Sequence, residues 1–307
     1  MARLEEFEAL CRVVEQKSFS RAAESLAISQ PAVSLQIKSL EEEYGVKLLH
    51  RDGFEVQPTE VGRAIYDYAR QIVDLYAQSR QMARELNGRV RGKLTIGAST
   101  VPGGYLLPLL LGNFKARYPQ VDISLCIGDS SETIDNVLRY RFELGFVGAT
   151  RRDSHLNFDP FMQDCLVLVV PPEHPWAGRE AVSYEELLEA PLILQQYGSG
   201  ATMVIREALE VNGIAFENLN IVAEIGLQES VKTAVRAGLG VTIISRMVVV
   251  EELARGLLVE VPVKGLEWNR NLYAVYRRMT PLSNLARTFL DFVRQDVVSV
   301  SDRARER

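Results

Sequence analysis

Residues 18–43 read SFSRAAESLAISQPAVSLQIKSLEEE, and the rest of the chain is organised around them. Phe19, Ala22, Ala23 and Leu26 recur at intervals of three and four, so a helix here carries one apolar stripe, rich in small residues, on a single face. Val33, Ile37 and Leu40 make a second stripe at i, i+4 and i+7, with Ser29 placed as its N-cap and Pro31 in its first turn. Only Ala27, Ile28 and Ser29 separate the stripes, which forces a sharp angle between the helices. Two helices joined this way form a helix-turn-helix, whose second helix can lie in a DNA major groove with its early polar residues toward base edges. Those residues are Ser29, Gln30 and Ser34, with Gln36 and Lys38 a turn further on, and Pro31 beside them is a further candidate contact. A helical hairpin in any small α-domain could carry the same pattern, so the flanking sequence matters.

Upstream, residues 4–16 place Leu4, Phe7, Leu10, Cys11 and Val14 on one face, as a first helix backing the hairpin. Downstream, residues 47–58 (KLLHRDGFEVQP) fit a small two-stranded wing turning at Gly53. Arg51 in that wing is a candidate phosphate contact, with a solvated surface charge as the alternative. Residues 1–58 are therefore expected to form a winged helix-turn-helix domain.

Thr59 then caps a long helix running to about residue 86, with no Pro or Gly after Gly62. Ile65, Tyr68, Ile72, Leu75, Ser79, Met82 and Leu86 step alternately by three and four, the spacing of a coiled-coil seam. Residues 59–92 are read as a dimerisation helix and a hinge, the hinge being 87–92 (NGRVRG). A homodimer, alone or paired into a homotetramer, would present two recognition helices to a roughly palindromic double-stranded operator.

From Lys93 the rhythm alternates strand and helix: KLTIGA, a helix in 106–119, VDISLCI, a helix near 132–140, ELGFVGA, CLVLVVP, a helix in SYEELLEA, PLILQQ, a helix over 201–212, NIVAEIG, a helix through VKTAVRAG, VTIIS, a short LLVEVPV, LYAVYRR and a last helix at 282–295. This alternation predicts a mainly parallel α/β sheet in 93–307. Crossovers near 163 and 267 would divide it into one lobe of about 93–163 plus 267–297 and another of about 164–266. Residues 299–307 are polar and expected to fray.

Composition sets limits. A 47% hydrophobic, 24% charged chain of 307 residues suits globular domains. Its apolar runs fall short of the roughly 20 residues a membrane-spanning helix needs, so no membrane partner is expected. Without the features of a secretory signal at the N-terminus, a cytoplasmic location is expected. Cys11, Cys126 and Cys165 sit in apolar surroundings, and buried free thiols are expected. His50, His155 and His174 have no ligand-like spacing, so neither a metal nor another cofactor is expected. Residues 1–92 hold 13 Lys plus Arg against 14 Asp plus Glu, and the remainder 22 against 26. DNA binding would thus rest on placement of Lys38, Lys47, His50, Arg51 and Arg63, opposed by Glu41, Glu42 and Glu43, and not on overall charge.

The run SFSRAAESLAISQPAVSLQIKSLEEEYGVKLLHR (18–51), followed by TEVG (59–62), resembles the N-terminal signature of the LysR-type bacterial transcription regulators, and the likeness extends along the whole chain in length and domain order. The resemblance implies a DNA-binding regulator with a two-lobed, periplasmic-binding-protein-like domain that holds a small effector; RNA polymerase is a further candidate partner. Leu35 departs from the pattern, standing where many members place a basic or amide side chain. It could still touch a thymine methyl.

In open α/β sheets ligands collect at the carboxyl ends of strands, beside helix N-termini. Ser99 and Thr100 follow one strand, Ser199, Gly200 and Thr202 another, and Gln228 a third, with Ser130 as a further candidate. Helix capping alone would also explain them. The resemblance implies that the first two loops meet the effector from opposite lobes, and that the effector is a small polar or anionic molecule, such as a sulfur-type oxyanion or a small carboxylate. Two other readings remain open at this point. A solute-binding receptor without a DNA role is disfavoured by the helix-turn-helix, and an enzyme by the absence of a GxSxG elbow, a P-loop or a GxGxxG turn.

Overall fold

The computed structural model describes residues 2–50, 56–85, 90–196 and 198–305. They fall into two compact units, Met1–Asn87 with Arg139–Arg141, and the remainder from Gly88.

In the first unit, α1 (Leu4–Gln16), α2 (Phe19–Leu26) and α3 (Gln30–Tyr44) enclose one core of Phe7, Leu10, Cys11, Val13, Ala22, Ala23, Val33, Ile37 and Leu40. The small alanines of α2 bring the helices close, as the stripe implied. Ser18 caps α2 by accepting from Arg21 N, and Ser29 caps α3 by accepting from Ala32 N. Helix α2 ends at Ala27 in the left-handed region (φ 55°), where Ile28 N reaches back to Ala23 O. Strands β1 (Leu49–His50) and β2 (Gln57–Pro58) pair antiparallel as the wing; Arg51 and Gly53 lie outside the described residues. Helix α4 (Glu60–Glu85) starts where Thr59 Oγ1 accepts from Gly62 N. Burial pushes the Cys11 thiol up to about 12, so this thiol is inert packing.

Helix α4 has two apolar faces. Ile65, Tyr66, Ala69 and Val73 pack into the unit's core, so Ile65, expected in the seam, belongs to the core. Tyr68, Ile72 and Leu75 are 65%, 40% and 39% exposed, as an uncovered stripe with Ser79 beyond them. Met82 and Leu86 of the expected seam lie outside the residues whose side chains are described.

The second unit is built on a nine-stranded sheet. Its elements are β3 (Gly92–Ser99), α5 (Leu107–Arg117), β4 (Val121–Gly128), α6 (Ser130–Leu138), β5 (Leu144–Val147), β6 (Leu156–Val170), α7 (Tyr184–Glu189), β7 (Leu192–Leu194), α8 (Gly200–Val211), β8 (Ile221–Glu224), α9 (Gln228–Arg236), β9 (Val241–Ser245), α10 (Arg246–Ala254), β10 (Val259–Glu260), β11 (Trp268–Arg277) and α11 (Asn284–Arg305). A π-helical turn, Pro102–Leu106, leads into α5. The strand order is β4-β3-β5-β11-β6-β9-β7-β8, with β10 against β6.

The expectation of a mainly parallel sheet needs correction. Strands β4, β3 and β5 are mutually parallel, as are β8, β7 and β9, but β6 and β11 run antiparallel to their neighbours and to each other. Those two long strands pass between the halves of the sheet. Their pairing slips once, between Leu272 opposite Met162 and Tyr273 opposite Pro160, leaving Phe161 as the extra residue of a bulge. Each half has its own core: Phe114, Phe146, Phe289 and Leu272 with their neighbours on one, Leu168, Leu192, Leu209 and Ile243 on the other.

Three smaller expectations also change. Helix α10 was not anticipated, because RMVVVEELA lacks an amphipathic period. The backbone of α11 stays helical to Arg305 where fraying was expected. Cys126 and Cys165 are exposed, not buried: strand side chains alternate faces, and Cys165 lies opposite in direction to the buried Asp164 and Leu166, while Cys126 stands on the edge strand β4. No helix of the described residues is long and apolar enough to cross a membrane.

Candidate functional site

In the first unit, α3 buries Val33, Ile37 and Leu40 and turns Gln30, Pro31, Leu35 and Lys38 outward. Gln30 Nε2 donates to Ser34 Oγ at 2.9 Å, which leaves the Ser34 proton available. Ser29 is engaged as the N-cap. Gln36 is half-buried, with its Oε1 enclosed and without a hydrogen-bond partner among the described residues. Leu35 is 68% exposed, in the middle of that face.

The charges around α3 are arranged differently from the sequence expectation. Glu41 is buried: its Oε1 accepts from Leu48 N at 3.0 Å and Leu49 N at 3.4 Å, and its Oε2 lies 2.8 Å from Lys47 Nζ. Burial alone would raise its carboxyl, but Lys47 and the two backbone donors outweigh it and hold the group below its ordinary value. Glu41 therefore ties the wing to α3 and does not oppose a phosphate backbone. Lys38 stands 3.5 Å from Glu42, both exposed.

In the second unit, four strands end beside one cleft of about 620 Å³. Each is followed by a helix start: β3 by Thr100, β4 by α6, β7 by α8 and β8 by α9. The parallel βα units of the two halves thus aim helix N-termini, with their positive dipole ends, at a common space. Ser99, Thr100, Ser130, Ser199 and Gly200 all line it. Thr202 does not appear in its lining; its hydroxyl donates to Gln195 O at 3.2 Å. Gln228 lies behind the wall, buried.

Gln228 joins a directional chain of hydrogen bonds. Ser199 Oγ accepts from Ala201 N as a cap and donates to Gln195 Oε1 at 2.6 Å; Gln195 Nε2 donates to Gln228 Oε1 at 3.3 Å; Gln228 Nε2 donates to Thr100 Oγ1 at 3.3 Å. The chain crosses from one half to the other and leaves the Thr100 proton for another acceptor. Ser99 Oγ likewise accepts, from Gly148 N at 3.2 Å, and keeps its proton to give. The buried Ser130 hydroxyl has no partner among the described residues.

Beneath these groups lies an ion pair that sequence reading missed. Arg270 and Asp164 are both buried, with Nε and Nη2 of Arg270 each 2.8 Å from Asp164 Oδ2, while Ser245 Oγ donates to Oδ1 at 2.7 Å. A sequence signal existed, since Trp268, Arg270, Leu272 and Ala274 alternate as inward positions of β11 and one of them is charged. Asp129, Gln195, Gln196 and Glu224 also line the cleft without having been singled out. A second polar link spans the halves nearby: Tyr105 OH donates to Glu229 Oε1 at 2.8 Å, and Lys232 Nζ lies 2.8 Å from both Glu229 and Glu252. Burial and Glu229 raise the Tyr105 phenol above its ordinary value, so Tyr105 stays a donor.

Two glycines set how closely the halves approach. A Cβ on Gly200 would lie 2.8 Å from Gly148 C and O, and one on Gly148 would lie 2.9 Å from Arg270 Nη1.

Comparisons with known proteins identify the family of both units. Residues 4–63 match the bacterial regulatory helix-turn-helix proteins of the lysR family, and residues 87–297 match the LysR substrate binding domain. The HTH-type transcriptional activator CmpR of Synechocystis sp. is 32% identical over 302 residues, 98% of either chain. A full-length OxyR variant from Pseudomonas aeruginosa superposes with a TM-score of 0.75 at 22% identity, over 96% of this chain and 95% of that one. The regulatory domain of Synechocystis PCC6803 CcmR, solved in complex with 2-PG, gives a TM-score of 0.62 at 25% identity, over 67% of this chain and 97% of that one. The chain belongs to the LysR-type family of DNA-binding transcriptional regulators, with a helix-turn-helix domain and an effector-binding domain.

Proposed function

We propose that the cleft between the halves of the second unit binds a small, acceptor-rich anion that controls how the helix-turn-helix domain acts on DNA. The observation that carries this is the Ser99, Thr100 and Ser130 set: two hydroxyls whose oxygens already accept and a third with no partner among the described residues, all on one cleft wall among helix N-termini. Such a surface offers protons and needs acceptors. The complex of the CcmR regulatory domain with 2-PG supports a small-molecule ligand in a domain of this kind. Turnover is not part of the reading, because these side chains form no nucleophile and base pair.

On the DNA side, Gln30, Pro31, Ser34, Leu35 and Lys38 are assigned to the groove-facing surface, with Ser29 as cap and Arg51 as a wing contact. The exposed Leu35 suits a thymine methyl. The uncovered Tyr68, Ile72 and Leu75 stripe is assigned to a homodimer whose two recognition helices meet a palindromic operator in the cytoplasm.

The test is a thermal-shift screen of small oxyanions and carboxylates on the full chain and on Thr100→Val with Ser130→Ala. A ligand at about 100 times its dissociation constant stabilises by roughly 2.7 kcal/mol. Stabilisation of the wild type and not of the double variant supports the site; equal stabilisation of both refutes it.

A further inference from the structure

The donors of the cleft share it with three carboxylates. Asp129, Glu132 and Glu224 line the same space, and Arg270, the cation among the lining residues, is matched by the buried Asp164. Asp129 caps α6, its Oδ1 accepting from Glu132 N at 2.7 Å. Among the described residues the carboxylates of Glu132 and Glu224 have neither an ion pair nor a hydrogen bond, and they stand on opposite halves, one on α6 and one at the end of β8. Above the donors, Ile127 and Leu227, 54% and 70% exposed, add apolar surface to the lining.

A polyanion suits this arrangement poorly, because each added negative charge meets the carboxylates of Glu132 and Glu224, which no cation contacts among the described residues. A single oxyanion head fits the hydroxyls and N–H groups, including the buried, unpartnered Ser130 hydroxyl. A cation attached to that head would meet Glu132 and Glu224, and an aliphatic substituent would cover Ile127 and Leu227. We propose that the effector is a small zwitterion, an amino acid or an aminosulfonate, whose oxyanion sits on Ser99, Thr100 and Ser130 and whose ammonium is held by Glu132 and Glu224. This rests on the reading of the cleft as the effector site and specifies its ligand class.

Matched probes differing only at the ammonium test it by calorimetry on the full chain: leucine against its 2-hydroxy acid, and taurine against isethionate. The carboxylate and sulfonate pairs also tell the two head groups apart. In the pair whose head fits, the ammonium-bearing member should bind about tenfold tighter, since exposed ion pairs each contribute up to roughly fivefold. In Glu132→Gln/Glu224→Gln, two surface changes that leave the core intact, that preference should fall to near unity. Equal or tighter binding of the hydroxy compounds, an undiminished preference in the double variant, or no binding by any probe overturns the zwitterion. Failure of the underlying site reading looks different: the probes would then bind the wild type and Thr100→Val/Ser130→Ala equally well.

Discussion

Gln228 Nε2 donates to Thr100 Oγ1 at 3.3 Å, a bond between residues on opposite halves of the effector-binding domain. It closes the chain that starts at the Ser199 cap of α8, so three helix starts share one hydrogen-bond direction and the last free proton is that of Thr100. On the proposed reading, a ligand that accepts this proton leaves the Thr100 oxygen turned toward Gln228 of the other half and so favours the arrangement in which the chain is complete. Such differential affinity is what lets a ligand shift a conformational equilibrium.

Gly200→Ala should hold the halves apart. The added Cβ meets the backbone of Gly148 at 2.8 Å, and backbone yields less easily than a side chain. Overpacking of this kind costs about 1–3 kcal/mol. The expected outcome is a lowered melting temperature for the second unit and weaker ligand stabilisation, with operator affinity of the first unit kept, as read by calorimetry and gel shift.

Glu41→Gln should loosen the wing. It removes the carboxylate that accepts from Leu48 N, Leu49 N and Lys47, at a cost of about 1–3 kcal/mol for buried donors left poorly satisfied. The sign of the pH effect follows from the lowered carboxyl of Glu41. Its stabilisation is fully present above the unfolded carboxylate value and is lost as pH falls through the lower folded value. Acid melting of the wild type should therefore be steeper than that of Glu41→Gln between roughly pH 5 and 3, which circular dichroism can follow.

Ile72→Asp should abolish association. Ile72 is exposed between Tyr68 and Leu75 on a stripe that the first unit's own core does not use. An unpaired charge placed in an apolar interface opposes its formation. Sedimentation should give a dimer for the wild type and a monomer for the variant at micromolar concentration; a monomeric wild type that still binds a palindromic site tightly contradicts the assignment.

Local patterns explain what could be read in advance. The helix-turn-helix was legible because small residues at i, i+3 and i+4, a Ser cap and a Pro at the helix start all act within a few positions. The helix starts at Ser99, Ser130 and Ser199 were legible because strand and helix alternate in the sequence. The antiparallel course of β6 was not, since LNFDPFMQ carries a Pro and a bulge and does not read as a strand. The Asp164 and Arg270 pair was also hidden, because its partners are 106 positions apart and meet only through the pairing of β6 with β11. Glu41 looked like part of an acidic surface run, and its burial follows from the wing folding back over α3, which no local period reports.

The central claim, that occupancy of the cleft controls action on DNA, is tested most directly by footprinting the full chain on its operator with and without a ligand that stabilises the wild type. The ligand should change the length or position of the wild-type footprint and leave that of Thr100→Val/Ser130→Ala unchanged, with both proteins protecting the operator when ligand is absent. An identical ligand-dependent change in the double variant would contradict the account.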